Sequence, residues 1–314
     1  MTEKLNLVSA VVPVYNGSRT IAMCLESLLA QTYPDKEIIV VNDGSTDNTG
    51  EVAGRYPVRL INTLHGGEGH ARNVGIVAAQ GEFIAQCESD AIYNPHYLES
   101  AIKHFEDLSV GGVIGPYRVL NRGNFITNCK DVERRVNFAD YKPFTGWVYR
   151  KSVLEKIGLY DRTLQHGVDV DVGIRVRSLG YKIVFDPEAT WEHLEPERLL
   201  SFLKRRFQGG AGVVQFRKKY SMSTFPSFLV IYAGLIVFLA FSILQPVILP
   251  LAVLLFGYVF MRGKLRWLRK ALSVTGDPVH AVGWLILDWL GAWAYSMGMV
   301  HGLFFGRKER GGTS

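Results

Sequence analysis

From Leu7 onward, short apolar runs alternate with segments whose apolar residues recur at helical spacing, and this alternation restricts the chain to few folds. Leu7 to Val14 is an apolar run bounded by Asn16-Gly17. After it come Ile21, Cys24, Leu25, Leu28 and Leu29, whose i, i+3, i+4, i+7, i+8 spacing gives a helix one buried face. The order repeats: a strand over Glu37 to Val41, a helix opening near Ser45-Thr46, a strand over Val58 to Ile61, a helix near Ala71 to Ala79, and a strand over Phe83 to Cys87. Strands alternating with helices predict an α/β fold, a mostly parallel open sheet with helices on both faces. Such sheets bind ligands beyond the carboxyl ends of their strands. Three of the predicted ends carry polar groups there: Tyr15-Asn16, Asn42-Asp43-Gly44 and Glu88-Ser89-Asp90.

The third end is unusual for a core strand. In an extended chain residues i and i+2 project to the same side, so Glu88 and Asp90 face one spot together. Two like charges there repel unless a cation joins them. The competing reading is a solvated acidic turn ahead of the helix signal at Asn94-Pro95.

Composition divides the chain. Ser221 to Met261 contains no charged residue, about twice the ~20 residues that one spanning helix needs, and Pro246 and Pro250 interrupt it near its middle. Two membrane spans joined by a tight hairpin are expected. Both flanks are basic, with Arg217, Lys218 and Lys219 before the run and Arg262, Lys264, Arg266, Arg269 and Lys270 after it, which assigns both ends, and the soluble part, to the cytoplasmic side. A third apolar stretch, Val279 to Phe305, carries Asp288 and a small-residue stripe at Gly291, Ala294, Gly298 and Gly302 that would let another helix approach closely. A third span would export the basic tail Arg307, Lys308 and Arg310, so an in-plane or re-entrant helix stands as its rival.

The opening "MTEKLNLVSAVVPVYN" has an acid at Glu3 and a break at Pro13, which suits a first strand better than an export signal. Cys24, Cys87 and Cys129 are odd in number and lack metal spacing, so they read as reduced thiols. The net charge of +6 raises the question of nucleic acid, but the seven bases without an acid between Arg198 and Lys219 lie directly before the uncharged run. Anionic lipid headgroups are the simpler partner, and no nucleic acid is expected.

The motifs "VVPVYN", "IIVVNDGSTDNT", "GHARNVGIVAAQGEFI" and the acid pair Glu88/Asp90, in this order, resemble the family 2 glycosyltransferases of GT-A fold. The resemblance continues through "FTGWVYRKSVLEKIGLYD", "GVDVDVGIRVRSLGY" and "ATWEHLEP" and covers roughly Leu7 to Pro196. It implies a GT-A domain over residues 1–197, and the charge pattern adds a basic juxtamembrane region over 198–220 and an α-helical membrane region over 221–314 with two spans and a possible third.

The resemblance also implies a site. The nucleotide of an activated sugar would lie on Pro13, Tyr15, Asn16 and Asp43, where a Tyr ring can stack on a base and a carboxylate can accept from a base N–H. Taken alone, Tyr15 is an amphipathic edge residue and Asp43 a turn residue. His70 and Arg72, after "HGGEG" and at a helix N-terminus, are placed near phosphate. Glu88-Ser89-Asp90 matches the family's Asp-X-Asp signature with Glu at the first acid, so Asp90 is the candidate ligand for Mg2+ or Mn2+, and Glu88 and Ser89 fall on the donor side. His193 in "WEHLEP" matches a His near the same metal, against the alternative of an ordinary surface His. "GVDVD" has Val168 where the family reads Glu, and keeps Asp169 as candidate general base. Asp171 and Arg175, at i and i+4, are read as a structural ion pair.

The function expected is an inverting, metal-dependent transfer of a sugar from a nucleotide-diphosphate donor to a membrane-held acceptor, a polyprenyl-linked saccharide or another glycolipid. Two alternatives stand beside it: a synthase that loads sugar onto polyprenyl phosphate, and an inactive membrane-anchored protein that only binds sugar nucleotides.

Overall fold

The computed structural model describes residues 6–224 and 264–305, with five isolated positions between them. The chain divides into two compact units: residues 1–121 with 140–195, and residues 122–139 with 196–314. The two spans expected within 221–261 lie outside the described residues.

The first unit begins as the hydrophobic periods predict. Strand β1 (Val8–Val14) is followed by α1 (Ile21–Leu29), β2 (Lys36–Asp43), α2 (Thr49–Ala53), β3 (Arg59–Thr63), α3 (Glu68–Ala78) and β4 (Phe83–Gln86). The unit continues with β5 (Ala91–Tyr93), α4 (Tyr97–Ile102), β6 (Val110–Ile114) and β7 (Tyr117–Val119). The main sheet has seven strands; β1 lies between β2 and β4 and is parallel to both, pairing Val11 with Ile39 on one side and with Gln86 on the other. Both faces of this centre are covered, which is why β1 and β2 read as continuous apolar runs rather than alternating ones.

The predicted helix starts shift by a few residues for a visible reason. Ser45 to Asp47 are spent on loop hydrogen bonds instead of a first turn: Thr46 N–H donates to Asn16 Oδ1 at 2.8 Å, and Asp47 accepts from the Ser18 and Thr49 amides at 3.2 and 3.1 Å. These bonds tie the loop after β1 to the loop after β2 and hold Asn16 in a left-handed conformation, φ 52°.

After α5 (Phe125–Ala139), which belongs to the second unit, the first unit resumes with β8 (Val148–Arg150), α6 (Lys151–Lys156), α7 (Val168–Ser178), β9 (Lys182–Phe185) and β10 (Trp191–His193). Strand β8 enters the main sheet antiparallel to both β4 and β6, making the order β3-β2-β1-β4-β8-β6-β9. A smaller sheet, β5-β10-β7, sets the end of β10 beside the chain leaving β4, with His193 opposite Ala91.

The second unit is α-helical among the described residues: α5, α8 (Leu199–Lys219), α9 (Lys264–Thr275) and α10 (Pro278–Phe305). Its core joins Cys129, Val132 and Val136 of α5 to Phe202, Ala271, Ala281 and Trp284. The small-residue stripe of α10 does what its spacing predicts. A Cβ on Gly298 would overlap the Phe207 carbonyl, and one on Gly210 of α8 would overlap that of Tyr295, so the two backbones lie closer than any larger residue allows. One face of the basic segment 198–220 is therefore spent on packing against α10. Among the described residues no helix is long and apolar enough to cross a membrane. With 28 residues α10 has the length, so it is its apolarity that falls short, and the span considered for Val279 to Phe305 is not supported.

Candidate active site

The order β3-β2-β1-β4 means that the sheet grows outward in one direction through β3 and then restarts on the other side of β1. Loops leaving the carboxyl ends of β1 and β4 diverge at such a switch point and open a crevice. Tyr15 and Asn16 leave β1 there, Asp43 ends β2, and Glu88-Ser89-Asp90 follow β4.

The acid pair is joined by a base. His193 Nε2 lies 3.2 Å from Asp90 Oδ1 and 3.6 Å from Glu88 Oε2, and ligand atoms of the three residues all fall within 4.8 Å of one another. The carboxylates are part-exposed and the imidazole is buried. Burial alone would lower the His193 imidazole, but hydrogen bonding to Asp90 and Glu88 and their charge push it up to about 9. Two carboxylates and one imidazole on a common centre suit a divalent cation that takes oxygen ligands and tolerates nitrogen, such as Mg2+ or Mn2+. Glu88, assigned from sequence to the donor side, thus shares the cluster with Asp90 and His193. The Tyr93 hydroxyl accepts the Glu88 amide N–H at 2.7 Å and fixes the backbone of the turn.

Arg72 stands behind this cluster. It is 2% exposed, and its N–H groups donate to Glu68 Oε1 at 2.8 and 3.0 Å, to Gln86 Oε1 at 2.9 Å and to Glu88 Oε1 at 3.4 Å. The Trp147 and Tyr160 rings flank its guanidinium at 5.8 and 5.7 Å. Burial alone would lower it, and the Glu68 and Glu88 carboxylates more than offset that, so it remains a cation. The expectation that Arg72 faces phosphate therefore meets a buried side chain that orients Glu88. The i, i+4 spacing of Glu68 and Arg72 is a sequence signal for their own ion pair alone, and none marks the contact with Glu88.

The other donor-side candidates form two groups. Asp43, 3% exposed, accepts the Gly66 and Gly67 amides at 2.9 Å each and pairs with His65 Nδ1 at 2.9 Å. Its carboxylate thus shapes the glycine loop ahead of α3, and His70 packs over Gly66 within that loop. Tyr15 is 49% exposed and its ring lies 4.2 Å from that of His65, an aromatic pair at the rim that sequence reading missed. Pro13 lies within β1 opposite Val41, and part-buried Ser89 lies between the two acids.

Asp169 occupies the first turn of α7, directly after Gly167 in the left-handed conformation. The helix is held close: a Cβ on Gly173 would overlap the Phe144 carbonyl, and the Thr145 hydroxyl donates to the Asp169 carbonyl at 2.8 Å. Burial raises the Asp169 carboxyl above its ordinary 3.8, hydrogen bonding from the Val170 amide opposes the rise, and nearby Glu68 adds to it. A carboxylate made more basic in this way is suited to accepting a proton. Arg175 Nε donates to buried Asp171 at 2.9 Å, forming the ion pair expected from spacing.

A sheet that reverses its growth beside β1, with acids at the switch, defines an α/β domain of GT-A-like fold. Residues 9–158 match the family described as Glycosyl transferase family 2. It is 38% identical to the glycosyltransferase GlyG of Streptococcus pneumoniae over 35% of this chain and 39% of that protein, so the match spans well under half the length of that relative. It is 29% identical to the glycosyltransferase AglE of Haloferax volcanii, over 68% of this chain and 75% of that one. The mannosyltransferase PcManGT from Pyrobaculum calidifontis, solved in complex with GDP-Man and Mn2+, shares the fold with a TM-score of 0.59 at 20% identity, covering 96% of this chain and 88% of that one.

Proposed function

We propose that the protein transfers a hexosyl unit, with inversion, from a nucleotide-diphosphate sugar to a hydroxyl of a membrane-held acceptor, a polyprenyl-linked saccharide or glycolipid, at the cytoplasmic face. The observation that carries this reading is the Glu88/Asp90/His193 cluster at the switch point of a family 2 glycosyltransferase domain. Glu88, Asp90 and His193 would hold the divalent cation, whose chemistry is to neutralise charge on the departing diphosphate. Arg72 keeps Glu88 aimed at the cluster. Asp169 takes the proton of the acceptor hydroxyl as its oxygen bonds to the anomeric carbon. The bond from that carbon to the diphosphate oxygen breaks, and the nucleoside diphosphate leaves. Tyr15 offers a ring at the rim where a base would stack. The membrane location rests on the charge-free run Ser221 to Met261 and its basic flanks.

A second reading, transfer to polyprenyl phosphate, has one discriminating residue. A phosphate is already ionised near neutral pH and needs no base, whereas a hydroxyl does, so a requirement for Asp169 favours the hydroxyl acceptor. The test is release of nucleoside diphosphate from UDP- and GDP-hexoses by the purified full chain. Release with Mn2+ that stops with a chelator and in Asp90→Asn is expected; metal-independent release in that variant removes the cation from the reaction. No release from any donor would favour an inactive sugar-nucleotide-binding protein.

A further inference from the structure

The second unit has a cleft that the transferase reading does not use. It measures about 260 Å³ and is lined by Glu133 and Asn137 of α5, Lys264 and Trp267 of α9, and Trp284 and Asp288 of α10. The two indoles stand edge to face, 6.2 Å apart at 88°. Trp267 is 43% exposed, whereas Trp284 is 6% exposed and its Nε1 has no hydrogen-bond partner among the described residues. A buried indole N–H without a partner is a donor held out of water at a cost.

We propose that this cleft binds one sugar ring of a neutral saccharide. The charges of its lining are already matched. Lys264 pairs with Asp288, and Glu133 pairs with Lys130. Burial alone would raise the Glu133 carboxyl, but Lys130 and Arg134 beside it hold it below its ordinary value, so it remains an ionised acceptor. An anion such as phosphate would meet two carboxylates with one lysine that is already engaged. A cation would meet that same lysine. A purely apolar ligand would cover Asn137 and the carboxylates without bonding to them, at a cost for each. What fits is a neutral ring with hydroxyls around its edge and C–H groups on its face: the edge accepts from the amide and ammonium and donates to the carboxylates, and the face rests on the rigid indole surface. The volume falls below the ~300–1,000 Å³ of pockets for drug-sized ligands, which selects one ring rather than a chain.

The test is saturation-transfer NMR on the full chain in detergent, with methyl glycosides of glucose, galactose and N-acetylglucosamine as probes, in chelator and without nucleotide. These conditions leave the Glu88/Asp90/His193 cluster out of play, so failure here and failure of the transferase reading are distinguishable. At least one glycoside should bind, with affinity lowered about tenfold or more in Trp267→Ala and in Asn137→Ala, both outside the buried core, and unchanged in Asp90→Asn. Absence of transfer to every glycoside, equal binding in the two cleft variants, or displacement of the glycoside by inorganic phosphate would overturn the proposal.

Discussion

Arg72 reaches Glu88 from inside the protein, Nη2 to Oε1 at 3.4 Å, while Gln86, two residues earlier on the same strand line, takes a second of its N–H groups at 2.9 Å. The residue that sets the direction of the first acid is thus itself fixed by the strand that presents that acid. Arg72→Met should lose both effects. Removing the guanidinium leaves Gln86 Oε1 buried without its donor and should cost about 1–3 kcal/mol in urea unfolding. With Glu88 in its proposed role as a ligand, loss of the group that orients it should also weaken Mn2+ binding by roughly 10- to 100-fold in calorimetry. Unchanged Mn2+ affinity in a folded variant would separate Arg72 from the cluster.

The close approach of α8 and α10 yields a prediction about the second unit. Gly298→Val puts side-chain carbon where the Phe207 carbonyl now lies. Overpacking of this kind should destabilise by about 1–3 kcal/mol or more, and protease cleavage within 264–305 should become faster. A variant as stable and protected as the parent would mean that the backbones are not held at this distance in solution.

Much of this architecture was legible in the residues, and what was not has a physical pattern. The strand and helix faces from Val8 to Gln86 follow from local period, and the polar groups at strand ends follow from what such sheets do at their carboxyl edge. The small-residue stripe predicted a tight helix pair, because only Gly at positions such as 210 and 298 permits it. Non-local pairing was invisible: nothing near Val148 says that β8 runs antiparallel between β4 and β6, and nothing near Phe125 says that α5 packs with α9 and α10. Arg72 was read from its loop, as a phosphate contact, because its partners Gln86 and Glu88 lie on another element. From its own strand end Asp43 reads as an acceptor for a base N–H or as a turn residue, because the amides it accepts belong to residues 66 and 67.

The basic flanks of the charge-free run predict orientation. A reporter placed after Gly263 should remain on the cytoplasmic side, since Arg217 to Lys219 and Arg262 to Lys270 bracket the run with positive charge. Labelling of that site by an impermeant reagent from outside intact cells would refute two spans with both ends inside.

Asp169→Asn should separate catalysis from stability in opposite directions. Loss of a positioned base should lower transfer by about two or more orders of magnitude, with donor affinity nearly unchanged. Equal loss of donor affinity would move Asp169 to the donor site, and no loss of rate would bring polyprenyl phosphate forward as the acceptor. The parent's transfer rate should fall on acidification at a pH above the ordinary 3.8 of an aspartate, because burial raises this carboxyl. Stability follows the same shift. A carboxyl raised in the folded state binds its proton more tightly there than in the unfolded chain. Its contribution is fully present below 3.8 and is lost as pH rises through the raised folded value, so at neutral pH the ionised group is a burden. Asn carries no charge to bury and keeps an oxygen that can accept from the Val170 amide. The variant should therefore resist urea at least as well as the parent at pH 7, and its advantage should shrink as pH falls toward 3.8. A variant less stable than the parent at pH 7, with a gap that closes on acidification, would mean that Asp169 is stabilised as the anion and is too weak a base for the role proposed.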